Sequence, residues 1–328
     1  MLKKREFLVS RLHLRKSRVF SIAMIKSTIK RVILAGPHRA IQRVKTPCLV
    51  MLRYHSIQDD QRRFEHTIPG IMHSIKGFRT QMEYLSRNLT PISLDDMPQM
   101  LTGEKRIPRR ACVVTFDDGY RDNLEVAAGI LEKYGICGVF YVTTGPIDGK
   151  PPWFCRLRQA MRHHSYHEFL EHSRAMAKSN HQEREMRLQS IGAGDQPVGD
   201  LDLMMNWEQV CQLQHRGHIV GSHSLTHPNL AQVDPAEAER EISNSRTKLE
   251  KETGMVIKHF SYPHPILKPC HNNLTAEMCR KAGYETATIT SSGTVSAGDN
   301  PLTLRRLAVP QEFDEFRWTV EKTLTGFW

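Results

Sequence analysis

Short apolar runs alternate with stretches of helical spacing from residue 48 onwards. Continuous apolar runs such as Ala111–Phe116 and Cys137–Thr143 are typical of buried strands. Between these runs, apolar residues recur every three or four positions, and several such stretches end near a glycine, as amphipathic helices commonly do. Repeated strand–helix units with short connections predict a parallel α/β fold, either open or closed into a barrel.

The pattern assigns each predicted element to a definite range. Strands are predicted at Cys48–Tyr54, Ala111–Phe116, Cys137–Thr143, 218–222, 259–262 and Glu285–Thr290, and helices at Phe78–Arg87, Arg121–Tyr134, Trp207–Arg216, Pro235–Thr253 and Leu274–Ala282. A segment at about 150–205, rich in His, Arg, Gln and Met, interrupts the alternation. We interpret it as a helical insertion over one face of a single domain, residues 48–328.

The positive charge of the chain is concentrated at one end. The net charge is +11, but residues 1–47 contain thirteen Lys and Arg and one acid, a net of +12, which leaves −1 for the remainder. Inferences about partners from charge therefore concern a basic N-terminal arm, residues 1–47, and not the domain.

The arm has no apolar span long enough to cross a bilayer. Its longest apolar piece, Val19–Ile25, is flanked by Arg18 and Lys26, and no clear small-residue cleavage site follows. Two interpretations stay open: a basic segment in peripheral contact with a membrane surface, and a loosely helical or disordered extension. A nucleic-acid partner is not expected, because aromatic residues are nearly absent there.

The seven cysteines form no C-x-x-C pair, and their number is odd. Several lie inside apolar runs. We interpret them as reduced core residues of an intracellular protein, and not as a disulfide framework or a thiolate metal site.

Two adjacent carboxylates follow a predicted buried strand in "TFDDGY", Thr115–Tyr120. The ends of strands in a parallel α/β domain are where ligands bind. Gly119 permits a turn that brings Asp117 and Asp118 to one site. The alternative is that one of them only caps the following helix.

Two imidazoles lie four residues apart in "HSLTHP", His223–Pro228, after another predicted strand. In a tight loop both side chains can reach one metal ion, and neutral imidazole suits borderline ions such as zinc. The alternative is a pair of surface histidines. Taken together, one Asp and two His form a three-ligand catalytic metal site with an open position for water, which favours hydrolysis.

These two motifs resemble the polysaccharide deacetylase superfamily, carbohydrate esterase family four. The segments "VFYVTTG", "GHIVGSHS" and "FSYP" agree with it, and the resemblance extends over roughly Cys48 to Val309. It implies an irregular (β/α) barrel of the polysaccharide deacetylase type. It also implies one divalent metal ion, with zinc expected, bound by Asp118, His223 and His227, and a catalytic base at Asp117.

The third motif departs from the family's R-P-P-Y-G-like run, because this chain has "FSYPHP" at 260–265. Ser261 replaces the arginine and Tyr262 a proline, and the resemblance makes Tyr262 a candidate substrate contact. The resemblance implies an oxyanion hole at the backbone N–H of His264, and the following proline restricts His264 to extended geometry. Arg306 matches an arginine of the Y-P-Y-G branch and is expected to orient Asp117; a plain surface arginine is the alternative.

The late Leu-x-Leu-His motif that supplies the general acid in many relatives has no counterpart here. The early "LRYH", 52–55, resembles the branch of poly-N-acetylglucosamine deacetylases, in which the motif is displaced to the first strand. First and last strands of a barrel are neighbours, so His55 is the candidate general acid, and a capping or core histidine is the alternative. Trp153, after a loop, is a second candidate substrate contact.

The sequence therefore predicts a metal-dependent hydrolase that removes N-acetyl groups from an amino sugar in a polysaccharide, oligosaccharide or lipid-linked precursor. Two alternatives stay open. One is a catalytically silent carbohydrate-binding protein on the same fold, and the other is a deformylase or amidase acting on a non-polymer substrate. The expected location is cytoplasmic and membrane-peripheral, and export by an atypical signal stays open.

Overall fold

A computed structural model describes residues 48–59, 70–147, 151–196, 199, 203–263 and 267–325. The strands are β1 Leu49–Tyr54, β2 Ser56–Ile57, β3 Met72–His73, β4 Thr90–Pro91, β5 Ala111–Phe116, β6 Gly138–Val142, β7 Ile219–Ser222, β8 His259–Ser261, β9 Thr286–Thr288 and β10 Leu307–Ala308. The N-terminal arm lies outside the described residues, so its membrane contact stays a prediction.

The helices follow the strands along the chain. They are α1 Ile75–Asn88, α2 Met97–Thr102, α3 Gly129–Lys133, α4 Trp153–Ala160, α5 Tyr166–Ala177, α6 His181–Ser190, α7 Trp207–His215, α8 Pro235–Thr253, α9 Asn273–Lys281 and α10 Phe313–Thr325. A π-helix, Asn123–Ala128, leads into α3, and short 3₁₀ helices cover Leu94–Asp96 and Pro301–Thr303. No helix in the described ranges is both long and apolar enough to span a bilayer.

Eight strands form one parallel sheet in the order β10-β1-β5-β6-β7-β8-β9, with β4 beside the first half of β5. The two ends of the sheet approach each other at Leu304, which exchanges backbone hydrogen bonds with Ala287 and Ile289 at 2.9 and 2.8 Å, just before β10. The sheet thus curls into an irregular barrel, and the predicted fold class is confirmed.

Side chains alternate between the two faces of the sheet, as the pleat requires. On β1, Val50, Leu52 and Tyr54 belong to the larger core between sheet and helices, whereas Leu49 and Met51 belong to a second core inside the barrel. Residues of the 3₁₀ helix Leu94–Asp96 and of α2 complete the inner core beside the strand starts. Apolar side chains therefore fill the barrel near the amino ends of the strands. The polar groups of the candidate site lie at the carboxyl ends.

Helix starts follow ordinary capping chemistry. Capping boxes begin α5, α6, α7 and α9, in which an N-cap side chain and the third helical residue satisfy each other's backbone N–H groups. The long helix α8 begins at Asp234 with Pro235 in its first turn and ends at Gly254 in the left-handed conformation. Helices α4 to α6 lie within the segment predicted as an insertion.

Candidate active site

The candidate residues come together at the carboxyl edge of the barrel. His55 follows β1, Asp117 and Asp118 follow β5, and His223 follows β7. Because parallel strands end at the same edge, residues far apart in the sequence converge there. The backbone N–H of Asp117 donates to Tyr54 O at 3.0 Å, which ties the end of β5 to the end of β1.

Asp118, His223 and His227 form a buried three-residue cluster. One ligand atom from each lies within 4.8 Å of the other two. Asp118 Oδ1 is 3.5 Å from His223 Nε2 and 3.3 Å from His227 Nε2. One carboxylate oxygen and two imidazole nitrogens around a common point are the donor set of a zinc site with a position left open.

The turns that carry these candidate ligands are strained. Asp118, Ser224 and His227 have positive φ angles of 78°, 67° and 61°, a region that non-glycine residues rarely occupy. Gly119 has φ of 90°, and a Cβ there would meet Val142 Cγ1 at 3.0 Å. Strained backbone of this kind clusters at functional sites, where the surrounding structure holds it in place.

A hydrogen bond fixes the orientation and tautomer of His223. Its Nδ1 lies 2.7 Å from the carbonyl oxygen of Ser261, so Nδ1 carries the proton and Nε2 presents a lone pair towards Asp118. Burial lowers the pKa of His223 to about 4, so the imidazole is neutral at neutral pH, as a ligand must be.

Asp118 supplies the negative charge of the cluster. Burial alone would raise the pKa of Asp118, but the neighbouring histidines, His227 first, lower that pKa. Its Oδ1 is buried and has no hydrogen-bond partner among the described residues. An unpartnered buried carboxylate oxygen is costly unless a cation meets it, so the three residues fit a divalent ion.

Asp117 has a separate partner. Arg306 is fully buried and donates to both carboxylate oxygens of Asp117, at 2.6 Å (Nη1 to Oδ1) and 2.8 Å (Nη2 to Oδ2). The Ser261 hydroxyl donates to Oδ1 at 3.3 Å and accepts from Arg306 at 2.8 Å. Burial would raise the pKa of Asp117, but the charge of Arg306 holds that pKa well below its usual range.

His55 lies on the side of the site formed by β1. It is buried, and its Nδ1 has no hydrogen-bond partner among the described residues. Burial lowers the pKa of His55 to about 4, partly opposed by the charges of Asp118 and Asp117. The His55 imidazole is therefore neutral, and it is close enough to Asp117 and Asp118 for their charges to affect its pKa.

The segment between α4 and α6 holds the loop that carries His227. Trp153 Nε1 donates to His227 O at 3.1 Å. Arg184 donates to Thr226 O at 2.8 Å and to Thr226 Oγ1 at 2.6 Å. Glu241 of α8, 3.9 Å from Arg184, accepts from the backbone N–H groups of Leu225 and Thr226 at 2.9 and 2.7 Å.

The two candidate substrate contacts differ in position. Trp153 is buried beside His227, with ring centroids 6.5 Å apart, and its indole N–H is already used. Tyr262 is fully buried against Phe260 and His271 and is not brought to the mouth of the barrel. Their roles stay predictions. His264, the candidate oxyanion residue, lies outside the described residues.

Several residues at the site carried no sequence signal that we used. Asp122 accepts hydrogen bonds from Ser56 Oγ at 2.5 Å and Ile57 N at 3.1 Å, and Asn123 donates to His55 O at 2.6 Å. Together they hold the turn after β1. Asp122 and Asn123 could have been noticed as a polar pair directly after "DDGYR". Arg53 could have been noticed as a charged residue inside an apolar strand.

Comparison with known proteins agrees with this geometry. The polysaccharide deacetylase family model matches residues 104–287, more than half of the chain. YxkH of Bacillus subtilis (strain 168), which is named as a polysaccharide deacetylase, is 23% identical over 273 residues, covering 82% of this chain and 74% of YxkH. His55 and Arg306 lie outside the range that the family model matches.

Solved structures share the fold. The Streptococcus pyogenes deacetylase PplD, determined in complex with acetate, has a TM-score of 0.60 at 18% identity, over 85% of this chain and 99% of PplD. IcaB from Ammonifex degensii has a TM-score of 0.59 at 18% identity, over 85% of this chain and 97% of IcaB.

Proposed function

The chain belongs to the polysaccharide deacetylase family, and we propose that it is a metal-dependent hydrolase that removes N-acetyl groups from an amino sugar. The substrate class is a polysaccharide, an oligosaccharide or a lipid-linked precursor. The observation that carries the proposal is the buried cluster of Asp118, His223 and His227, with the Arg306-bound carboxylate of Asp117 next to it in the chain.

The atoms proposed to bind the ion are Asp118 Oδ1, His223 Nε2 and His227 Nε2. A divalent ion held there supplies Lewis-acid activation of water and of the amide carbonyl. The Ser261 carbonyl keeps His223 in the tautomer that binding needs. The contacts of Trp153, Arg184 and Glu241 with the 225–227 loop hold His227 in its strained conformation.

Asp117 is proposed to accept the proton of the attacking water. A carboxylate offers about four acceptor positions, and the described donors are two from Arg306 and one from Ser261, so one position is left for water. Because its pKa is held low, Asp117 is a weak base and releases the proton readily. Arg306 keeps the carboxylate charged and fixes its direction.

His55 is proposed to deliver a proton to the departing amine. It is neutral in the free site at neutral pH, so the proton that it donates arrives during the reaction. Its pKa of about 4 makes it a better proton carrier than Asp117, whose pKa is lower. Asp122 and Asn123 position the turn that carries it.

The family and its neighbours support the sugar substrate. PplD was determined with acetate, the product that N-acetyl hydrolysis releases. The full set of Asp117, Asp118, His223 and His227 argues against a silent binding protein, because pure sugar binding does not need a buried metal cluster beside a clamped carboxylate.

The test is acetate release from a panel of N-acetylglucosamine oligomers of different linkage by zinc-reconstituted protein, with Asp117→Asn as the matched inactive variant. We expect acetate from the wild type and at least 100-fold less from the variant, about the loss expected for a general base. Zinc binding without acetate from any oligomer would refute sugar deacetylation and turn attention to formamides and non-sugar amides.

A further inference from the structure

Arg53 is a charged residue in an otherwise apolar strand. β1 has the sequence LVMLRY, and its residues 49, 51 and 53 alternate onto the inner face of the barrel. Arg53 pairs in register with Thr115 of β5 and Ala308 of β10. Its Cα therefore lies level with the residue two positions before Asp117, below the mouth of the site.

Arg53 is half-buried, and no described residue forms a hydrogen bond or ion pair with its guanidinium. The charges within its reach are those of Arg306, Asp117 and Asp118. The nearby thiol of Cys270 has a pKa raised by burial and is neutral. By contrast, Arg306 satisfies its guanidinium with Asp117, Thr115 and Ser261.

Neither nearby carboxylate forms a hydrogen bond with Arg53, and each has other neighbours. Both oxygens of Asp117 bind Arg306, and Oδ1 of Asp118 points at the two histidines. Two arginines and two aspartates balance, so a divalent ion gives the mouth of the barrel a net positive charge. The half-buried Arg53 guanidinium, which no described carboxylate binds, is therefore open to an anion brought by the substrate.

We propose that Arg53 binds an anionic group, a phosphate or a carboxylate, carried by the substrate beside the acetamido group. The planar guanidinium fork matches both kinds of anion in two-point contacts. Arg53 lies on β1 and His55 directly follows that strand, whereas the proposed metal ligands follow β5 and β7. The anion therefore lies on the leaving-amine side of the acetamide. This inference rests on the proposed function and narrows its substrate class to negatively charged amino sugars.

The test compares matched charged and neutral substrates. The phosphate pair is N-acetylglucosamine 1-phosphate and its methyl glycoside, and the carboxylate pair is N-acetylglucosamine linked to glucuronic acid or to glucose. We expect the wild type to favour the charged member of one pair in kcat/KM, and Arg53→Met to reduce that preference about 10- to 100-fold, the range for losing a charged hydrogen bond. Arg53→Lys should keep part of the preference.

The pair that shows the preference identifies the anion. The exposed Arg87→Met, on α1, is the control and should leave the preference unchanged. If Arg53→Met reduces charged and neutral substrates by the same factor, Arg53 acts on the common acetamide or on the fold, and the proposal is overturned. No effect on either substrate also overturns it.

A binding measurement separates this proposal from the deacetylase assignment. Calorimetric titration of metal-free protein with glucosamine 1-phosphate, with the glucosamine–glucuronic acid disaccharide and with glucosamine needs no turnover. We expect one of the two anionic ligands to bind more tightly than glucosamine in the wild type, and this difference to be lost in Arg53→Met. If acetate is never released but this difference is found, the deacetylase assignment fails and the anion site stands; if glucosamine binds as tightly as both anionic ligands, the anion site fails.

Discussion

Replacing Arg306 by Met tests whether the Asp117 carboxylate is a buried, clamped charge. The guanidinium is fully buried and lies over the Tyr141 ring, 5.5 Å from its centroid. Its removal leaves the Asp117 carboxylate with one described side-chain donor, the Ser261 hydroxyl at 3.3 Å. Methionine keeps much of the side-chain volume, so the change chiefly removes charge and hydrogen bonds.

The expected loss of unfolding free energy at neutral pH is about 3–5 kcal/mol, the range for removing one partner of a buried ion pair. A surface pair would lose at most about 1 kcal/mol. The two ranges do not overlap, so the measurement separates a structural clamp from a plain surface arginine.

The pH dependence has a definite sign. In the wild type the depressed pKa of Asp117 means that its contribution to stability is present above the unfolded pKa, about 3.9, and is lost as pH falls towards the folded pKa. In Arg306→Met, the charge that opposes the effect of burial is gone, so burial raises the pKa of Asp117. The stability of this variant therefore falls as pH rises. The difference between the two proteins should therefore grow from pH 4 to pH 8, measured by urea unfolding of metal-free protein.

The double variant Arg306→Met/Asp117→Asn is the control. Because it removes the uncompensated charge as well, it should recover most of the lost stability. A loss below about 1 kcal/mol that does not change with pH, or a double variant no more stable than Arg306→Met, would refute the reasoning.

Three further predictions concern the surroundings of the candidate metal cluster. Arg184→Met releases the Thr226 carbonyl and should weaken zinc binding about 10- to 100-fold in a chelator competition, whereas the exposed Arg187→Met should not; equal affinities would contradict the proposed hold on His227. His55→Gln should lower kcat about 10²- to 10⁴-fold while zinc content stays that of the wild type, and a loss of zinc would instead mark a ligand. Burial raises the pKa of Asp122 to about 7, so the contribution of Asp122 to stability should fall as pH rises from about 4 to about 7; urea unfolding should show Asp122→Asn gaining stability relative to the wild type over that range, and identical pH profiles would contradict the raised pKa.

The main elements of the fold follow from local sequence pattern. The predicted strand Ala111–Phe116 and helix Pro235–Thr253 have the observed bounds, because an apolar run and a capped, glycine-ended helix are marked within their own residues. The strand β10 was missed: Leu307–Ala308 is only two residues long, and its place beside β1 is set by the closing of the barrel. Helix α10 and the small strands β2 and β3 were also missed.

One predicted helix differs in kind. The range Arg121–Tyr134 was predicted as a plain helix, but Asn123–Ala128 is a π-helix. The apolar pattern that we used does not distinguish i→i+5 from i→i+4 hydrogen bonding. The π-helix begins at Asn123, whose side chain donates to His55 O. π-turns of this kind are frequent at functional sites.

Motif spacing located the candidate metal ligands, but not what holds them. Asp118, His223 and His227 belong to short motifs with few chemical interpretations, and they lie together. Arg184 and Glu241 reach the same loop from helices that precede and follow it, and neither belongs to a motif. Arg53 was visible as a charge in an apolar run, but its lack of a described partner emerges only once both aspartates have been assigned theirs.

The most direct test of the account is acetate release as a function of bound zinc. Metal-free wild type and Asp118→Asn would be titrated with zinc, and the rate on the best N-acetylglucosamine oligomer measured beside the metal content. The account predicts a wild-type rate that rises in proportion to zinc and levels off at one ion per chain, with neither tight binding nor acetate from Asp118→Asn. A wild-type rate that does not depend on bound metal, or an Asp118→Asn protein as active as the wild type, would contradict it.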